Sequence, residues 1–450
     1  MKTTIFLKLA PLLLFPVLLN AQTQIGDDIS TSNRYILISL SGDGNTVAIG
    51  DPFSDNNFNT GCVNIYENQS GSWVNIGNLF GNAPGDRFGE AVSLSMDGST
   101  LAVGLPLYIS SSGYGQPHVK VYKNQSGSWV QIGSDINGNG QGQFGFALSL
   151  SDDGNTIAIG DRQRSYVQIY ENISGNWSQI GSDIIGAENY YDLFGQSICL
   201  SSDGSIVAIG VPADNGNGEG AGRVCVYKNV SGVWTKVGSD IYGDSAGDGF
   251  GNVSLSSDGG IVAIGAPGGN NSGHVRVYKN QSGSWVQVGN DINGMVEGEG
   301  IGLSVSLSGD GNILAASGGD TIVRIYKNQG GSWVQVGADI NSGWRALSLS
   351  KDGSIVALGR AKVYDLSAVL STESFKQDYF SMYPNPAKNI LNIQLKSGLQ
   401  LKQVNIYNIQ SQYLYSVKSN KIDTQNLNTG IYFVEIDTNK GKSAKKLVVK

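Results

Sequence analysis

The stretch that decides the fold is Gly251-Asn-Val-Ser-Leu-Ser-Ser-Asp-Gly-Gly-Ile-Val-Ala-Ile-Gly265, read together with Val275-Arg-Val-Tyr-Lys-Asn-Gln-Ser-Gly-Ser-Trp-Val-Gln-Val-Gly289. It holds four short runs with strand character: A (Val253 to Ser256), B (Ile261 to Ile264), C (His274 to Tyr278) and D (Ser284 to Val288). Asp-Gly joins A to B and Asn-Gln-Ser-Gly joins C to D, and these residues accept the positive φ of tight hairpins. The unit is therefore a four-stranded antiparallel meander. Both faces of strand B are apolar or small (Val262, Ala263, Ile264), so a meander standing alone leaves apolar surface in water.

The unit repeats. Asp-Gly recurs at Asp43-Gly44, Asp97-Gly98, Asp153-Gly154, Asp203-Gly204, Asp258-Gly259, Asp310-Gly311 and Asp352-Gly353, a period of about fifty residues that suits a propeller blade. Stacking meanders radially buries the faces of each against its neighbours, and closing the ring protects the edges. The expected fold is all-β, a seven-bladed β-propeller over residues 22–366. The seventh unit has A (Leu347 to Ser350), B (Ile355 to Leu358) and C (Ala361 to Leu366), but no fourth strand follows. Gln24-Ile25-Gly26-Asp27-Asp28-Ile29 matches Gln131-Ile132-Gly133-Ser134-Asp135-Ile136, so the N-terminal segment is expected to supply strand D of the last blade.

Bulk properties agree with many short strands. Of 450 residues, 63 are glycine and only 15% are charged, with no long helical stretches after the N-terminus. The net charge of −7 and scattered Lys and Arg give no footprint for a phosphate backbone, which excludes nucleic acid as a partner class. Met1 to Ala21 combines Lys2 and Lys8 with the apolar run Leu9 to Leu19 and reads as a secretory signal peptide cut after Ala21. No other stretch is apolar for long enough to span a bilayer. Cys62, Cys199 and Cys225 are too few and too irregular for a disulfide framework and are expected to be free thiols.

Phe88-Gly89, Phe144-Gly145, Phe194-Gly195 and Phe250-Gly251, followed by Gly265-Ala266-Pro267 and looser versions at Gly50-Asp-Pro52, Gly104-Leu-Pro106 and Gly210-Val-Pro212, make the units resemble FG-GAP repeats of the integrin-α type over roughly residues 30 to 360. They depart from it at Arg34-Tyr35, Ile301-Gly302 and Gly343-Trp344. The resemblance implies a calcium loop in the A–B hairpin, but Ser95-Met96-Asp97-Gly98-Ser99-Thr100-Leu101 has one carboxylate and an apolar residue where the last ligand belongs. Calcium takes six to eight oxygens, so the Asp is read as a turn-former, with no metal and no cofactor expected.

Catalysis finds little support. His118 and His274 stand at equivalent places before strand C without a ligand-spaced partner and are read as blade-edge surface residues. The serines show no Gly-x-Ser-x-Gly elbow. Trp73, Trp129, Trp177, Trp234, Trp285 and Trp333 share one position in strand D. Packing at the blade rim accounts for them, and a set of sugar-stacking platforms is the functional alternative. Asn68-Gln-Ser70, Asn124-Gln-Ser126, Asn172-Ile-Ser174, Asn229-Val-Ser231 and Asn280-Gln-Ser282 match the glycosylation pattern, but every one falls on the C–D hairpin, where turn chemistry explains it. The hairpins are uniform, whereas the B–C and D–A loops vary and emerge on one face. Recognition residues usually sit on such loops, which makes Tyr108, Tyr114, Tyr190, Tyr191, Asp214 and Glu219 the binding candidates.

After Leu366 the repeat ends. Ser367 to Gln377 reads as a linker, and Tyr383-Pro384-Asn385-Pro386-Ala387, Leu391-Asn392-Ile393, Val404-Asn405-Ile406-Tyr407-Asn408, Leu427-Asn428-Thr429-Gly430-Ile431-Tyr432-Phe433-Val434 and Lys445-Lys446-Leu447-Val448-Val449-Lys450 follow. These closely resemble the type A C-terminal sorting domain of the Bacteroidetes type IX secretion system, with Ser411 replacing a common glycine. Their alternation predicts an antiparallel β-sandwich over 378–450 with strands at Ile390 to Leu395, Gln403 to Asn408, Gly430 to Ile436 and Lys445 to Val449. The resemblance implies the secretion machinery as a partner, and release or attachment at the outer cell surface. The sequence thus points to an exported, non-enzymatic binding or adhesion module for an extracellular protein or glycan, with a multivalent lectin and a polysaccharide hydrolase or lyase as alternatives.

Overall fold

The computed structural model describes residues 22–29, 36–54, 59–106, 116–140, 142–186, 192–319, 322–341, 346–359, 361–370, 380–395, 398–408, 413–439 and 441–450. The signal segment and the tyrosines at 108, 114, 190 and 191 lie outside these residues. The chain divides into two compact units, Met1–Leu370 and Ser371–Lys450.

Among the described residues the first unit holds seven antiparallel sheets of four or five strands. In the fifth, A is Asn252–Leu255, B is Ile261–Ala266, C is His274–Gln281 and D is Ser284–Gln287. Strand C runs on through Asn280 and Gln281, so Gln281 pairs with Ser284 and only Ser282 and Gly283 remain in the loop. Both have positive φ, 53° and 92°, the geometry of a two-residue primed turn. The Asn280 side chain accepts from the Gly283 N–H at 2.8 Å, and Asn68, Asn124, Asn172, Asn229 and Asn328 do the same in their hairpins. The asparagine of each Asn-x-Ser pattern that opens a C–D hairpin is thereby engaged in its own turn.

Strand D is interrupted in the second to fifth sheets. It breaks at a glycine and resumes, as at Ile292–Asn293, against the start of strand C. The Asp of this bulge is held from two sides: Asp291 accepts from Gln287, four residues earlier, and from Arg276 on strand C. The N-terminal segment reproduces the device. Gln24 donates to Asp28 at 2.8 Å, and Lys362 lies 3.2 Å from the same carboxylate. Thr23–Gln24 pairs with Asp365 and Tyr364, and the Ile25 and Ile29 amides donate to the carbonyls of Val363 and Ala361. The seventh sheet therefore joins the N-terminal segment to the last repeat, in the order Thr23–Gln24, Lys362–Asp365, Ile355–Leu358 and Leu347–Leu349, with Thr23–Gln24 outermost.

Each innermost strand packs on the next, and Leu37–Leu40 of the first sheet packs on Leu347–Leu349 of the seventh. The core between sheets is built from both faces of strand B and from Phe88, Phe144, Phe194, Phe250 and Ile301, all at most 1% exposed. The indoles of Trp73, Trp177, Trp234, Trp285 and Trp333 donate to a carbonyl on the outer strand of the preceding sheet, at 2.9–3.1 Å. These tryptophans are inter-sheet staples with half-buried rings. Trp129, beside the continuous outer strand Ser72–Phe80, lacks an acceptor.

Two readings of the sequence need correction. Ser367–Leu370 is a helical turn, not linker: Val369 is buried in the core of the sixth and seventh sheets, and Lys327 Nζ donates to the Leu370 carbonyl. Apolar Val369 and Leu370 find cover there, so the first unit ends four residues later. His274 is not a surface residue. It is 1% exposed, under the short turn Gly269–Asn271 and beside Phe250 at 6.4 Å between ring centroids, and neither ring nitrogen has a partner. His118 is partly exposed, 3.7 Å from Asp135.

Burial, with Arg276 adding to it, lowers the His274 pKa against the opposing pull of Asp291, Asp248 and Asp244. The unfolded chain then binds a proton near the ordinary value of about 6.5, before the folded chain does. Stability present above pH 6.5 is expected to fall as pH drops toward the lowered folded pKa. Urea melts at pH 7.5 and 5.0 check this: His274→Phe should lose less stability over that interval than the wild type, and equal losses would contradict it.

The second unit has two antiparallel sheets. One orders Phe380–Tyr383, Ile390–Leu395 and Lys421–Asp423; the other orders Tyr413–Val417, Leu401–Asn408, Gly430–Thr438 and Gly441–Val449. Leu391, Ile393, Val404, Ile406, Val434, Ile436 and Leu447 form one core between them. The strands Phe380–Tyr383, Tyr413–Val417 and Lys421–Asp423 escape the sequence reading because they are short and weakly alternating.

Candidate binding site at the mouth of the axial channel

The innermost strands carry an alternation that the sequence reading passed over. Along each strand A, one set of side chains enters the inter-sheet core and the other faces the ring axis. An innermost strand has an unpaired edge, so its N–H groups need acceptors. Serine supplies them. Ser39 Oγ accepts from Leu94 N, Ser93 from Leu150, Ser149 from Leu200, Ser254 from Leu307, Ser306 from Leu349 and Ser348 from Leu40, at 2.9–3.1 Å. The remaining place is filled by Cys199, whose Sγ accepts from Leu255 N at 3.3 Å. The girdle is cyclic and explains the recurrent Ser-Leu of the repeat.

Below it the Asp-Gly turns form a second ring, of backbone bonds: Asp43 N to Met96 O, Met96 to Asp152, Asp152 to Ser202, Ser202 to Ser257, Ser257 to Gly309, Gly309 to Lys351 and Lys351 to Gly42, at 2.7–3.0 Å. The turn aspartates are consumed locally. Asp97 accepts from the Ser95 hydroxyl at 2.7 Å and from the Ser99 amide at 2.9 Å. Burial opposes ionisation of Asp97, Asp153, Asp203, Asp310 and Asp352, but the turn hydrogen bonds outweigh it and hold these carboxyls below the usual range; at Asp258 the Ser256 bond is the largest influence, in the same direction. These aspartates are turn-formers. Among the described residues, no group of three or more His, Cys, Asp or Glu side chains is arranged to hold a metal.

Above the girdle the axis widens into a cup of about 610 Å³, lined by the starts of strand A from all seven sheets. Leu37, Val92, Ala147, Leu303 and Ala346 give it apolar wall, and Gln196, Ser197, Asn252 and Ser304 give it polar groups. Glu90, 5% exposed, also lines it and lies 3.8 Å from Arg87. At one side Arg162 covers the Phe146 ring at 3.4 Å and donates to Gln143 and Gln196. The cup opens where the D–A loops enter strand A, on the face that also carries the B–C loops.

The loops around it are fixed by a repeated arginine clamp at the start of strand C. Arg223 pairs with Asp214 at 2.8 Å and Asp240 at 2.9 Å, Arg276 with Asp244 and Asp291, and Arg324 with Glu299 and Asp339. The D–A carboxylates order their own turns: Asp248 accepts from the amides of Asp244 and Ser245, and Glu299 from those of Met295 and Val296. Asp214, a binding candidate from the sequence, is therefore committed to Arg223 as a loop staple. Glu219 is exposed, and its carbonyl accepts from Gly247. The structure does not bring these two side chains to the cup.

The thiols are free, with Cys62 and Cys225 buried and Cys199 partly so. Burial pushes Cys225 up to about 12 and raises Cys62 and Cys199 as well, so none is primed as a nucleophile. Among the described residues no helix is long and apolar enough to cross a membrane.

Comparison with solved structures gives propeller-like neighbours. Hydrazine synthase of Kuenenia stuttgartiensis superposes with a TM-score of 0.52 at 13% identity, covering 76% of this chain and 99% of that one. The β-propeller domain of Cps50 (Swd1) from Myceliophteria thermophila gives 0.50 at 13%, covering 74% and 97%. At such identity the likeness concerns the fold alone. No curated protein matches the chain. Residues 381–450 match the family described as the secretion system C-terminal sorting domain. The chain is thus a β-propeller followed by a C-terminal type IX sorting domain, which marks it for export.

Proposed function

We propose that this chain is an exported, surface-presented binding protein, without enzymatic activity, in which a seven-bladed propeller of FG-GAP-like units holds its ligand in the cup on the loop face. The observation that carries the reading is the cup itself: every innermost strand contributes to it, and it has apolar wall, polar groups and clamped loops. Ligand sites favour such concave, largely preformed surfaces with a few placed polar groups. The buried Phe-Gly corners and the closing strand Thr23–Gln24 support the blade reading, and the two sheets sharing one core support a β-sandwich for the sorting domain. On this reading Met1 to Ala21 is removed as a signal peptide, and the sorting domain directs release or attachment at the outer surface.

A second reading rests on a groove of about 280 Å³ at the rim between the third and fourth sheets, lined by Asp183, Ile185, Tyr227, Val233 and Trp234. Repeated grooves of this kind would make the protein a multivalent lectin. A screen of the mature chain against immobilised glycans and extracellular proteins separates the two. With Ala147→Trp, which fills the cup, binding is expected to drop at least tenfold, whereas Val233→Asp at the rim leaves it unchanged. The reverse pattern would select the rim.

A further inference from the structure

The ring of backbone bonds at the Asp-Gly turns places one residue per sheet at a common position: Gly42, Met96, Asp152, Ser202, Ser257, Gly309 and Lys351. Two of the seven carry charge, with opposite signs. They belong to the third and seventh sheets, which are not neighbours, because the first and second sheets stand between them on the shorter way round. Lys351 Nζ nevertheless lies 2.7 and 2.8 Å from the two Asp152 carboxylate oxygens, and donates to the Ser202 hydroxyl on the fourth sheet. The lysine therefore crosses the channel axis, one layer below the girdle. The absent side chain of Gly309 leaves room for its stem: a Cβ there would sit 2.9 Å from the Lys351 Cγ and Cε. A separate cavity of about 490 Å³ lies on the turn side, around Lys351, Met96 and Asp310.

We propose that this bar makes the cup a blind well, entered only from the loop face, and that the well takes the end of a neutral saccharide chain. The inference rests on the reading of the cup as the binding site. The barred floor excludes a threaded polymer, so a chain is held by its terminus. The wall narrows the chemistry. The guanidinium at the mouth, Arg162, is engaged with Phe146, Gln143 and Gln196, which disfavours phosphate or sulfate as the ligand. An alkyl chain would bury Gln196, Ser197 and Asn252 against hydrocarbon, at a cost in lost hydration. A sugar presents C–H faces to Leu37, Val92 and Leu303 and hydroxyls to the polar positions, which matches a wall that is apolar with a few placed polar groups.

Cys199 stands in the girdle between cup and bar, and the other two thiols are buried, so it reports entry into the well. At alkaline pH, where part of the raised thiol ionises, N-ethylmaleimide is expected to label Cys199 in the mature chain slowly, and Ala147→Trp is expected to slow labelling at least a further tenfold. Adding Lys351→Ala to Ala147→Trp should restore it from the turn side, with melting curves confirming that each variant is folded. Unchanged labelling in Ala147→Trp and in a second cup-filling variant, Leu303→Trp, would show an open floor and overturn the blind well. In a neutral glycan array followed by titration, short oligosaccharides should bind, and binding of the matching polymer should scale with the number of chain ends. Scaling with polymer mass overturns end recognition. Binding of a protein but no saccharide, lost in Ala147→Trp, overturns the saccharide class while leaving the cup as the site.

Discussion

Deletion of residues 22–29 is expected to lower the melting temperature by on the order of 10 °C. The segment contributes the outer strand of the seventh sheet, with the Ile25 and Ile29 amides bonded to Val363 and Ala361. Ile29 is 6% exposed, and Ile25 packs against the same core. Burying Ile29 contributes about 1.5–3 kcal/mol, and half-buried Ile25 adds a smaller share. The deletion also removes the acceptor of the Trp73 indole and the donor to the Ala338 carbonyl, and it exposes the edge of Lys362–Asp365. Addition in trans of a peptide spanning residues 22–29 should recover part of the loss. A melting curve unchanged by the deletion would mean that the ring is held shut elsewhere.

Phe250→Ala is expected to destabilise the propeller by about 3–5 kcal/mol, the usual range for emptying a buried aromatic site. Phe250 is 0% exposed and sits in the core shared by the fourth and fifth sheets. The space cannot easily collapse, because the adjoining backbone of Gly251 already meets Gly210 so closely that a Cβ at Gly210 would clash with its carbonyl. Phe250→Ile is the informative control. Ile301 does the same work one sheet later, also at 0% exposure, so the isoleucine variant should recover most of the stability. Denaturant unfolding of the three proteins checks the order, and equal stability of Phe250→Ala and wild type would contradict this account of the Phe-Gly corner.

Much of this was legible in the residues, because the repeat states each requirement several times. The Asp-Gly and Asn-x-Ser-Gly turns are local, and their hydrogen bonds close within a few residues, so the chemistry is visible in the chain itself. The closing strand was legible for the same reason: Gln24-Ile25-Gly26-Asp27-Asp28-Ile29 carries the glycine of the bulge and the Gln–Asp bracket around it. His274 was misread because what buries it, the turn Gly269–Asn271, is irregular and follows no pattern that the repeat announces. The cup was missed because its members are far apart in sequence. Leu37, Ala147, Ser197 and Asn252 meet only when the ring closes, and each looks ordinary in its own strand. The signal available was the alternation of strand A, whose axis-facing positions are Ser39, Ser93, Ser149, Cys199, Ser254, Ser306 and Ser348. The Lys351–Asp152 bar spans 199 residues, a separation at which no local pattern connects the partners.

The most direct test of where this protein binds is hydrogen–deuterium exchange of the mature chain, with and without the tightest ligand from the glycan and protein screen. The account predicts that protection gained on binding concentrates at the channel mouth, in residues 36–38, 90–92, 146–148, 196–198 and 303–304. Protection confined to the outer strands Ser128–Gln131, Val233–Lys236 and Ser284–Gln287, with the channel mouth unchanged, would contradict it.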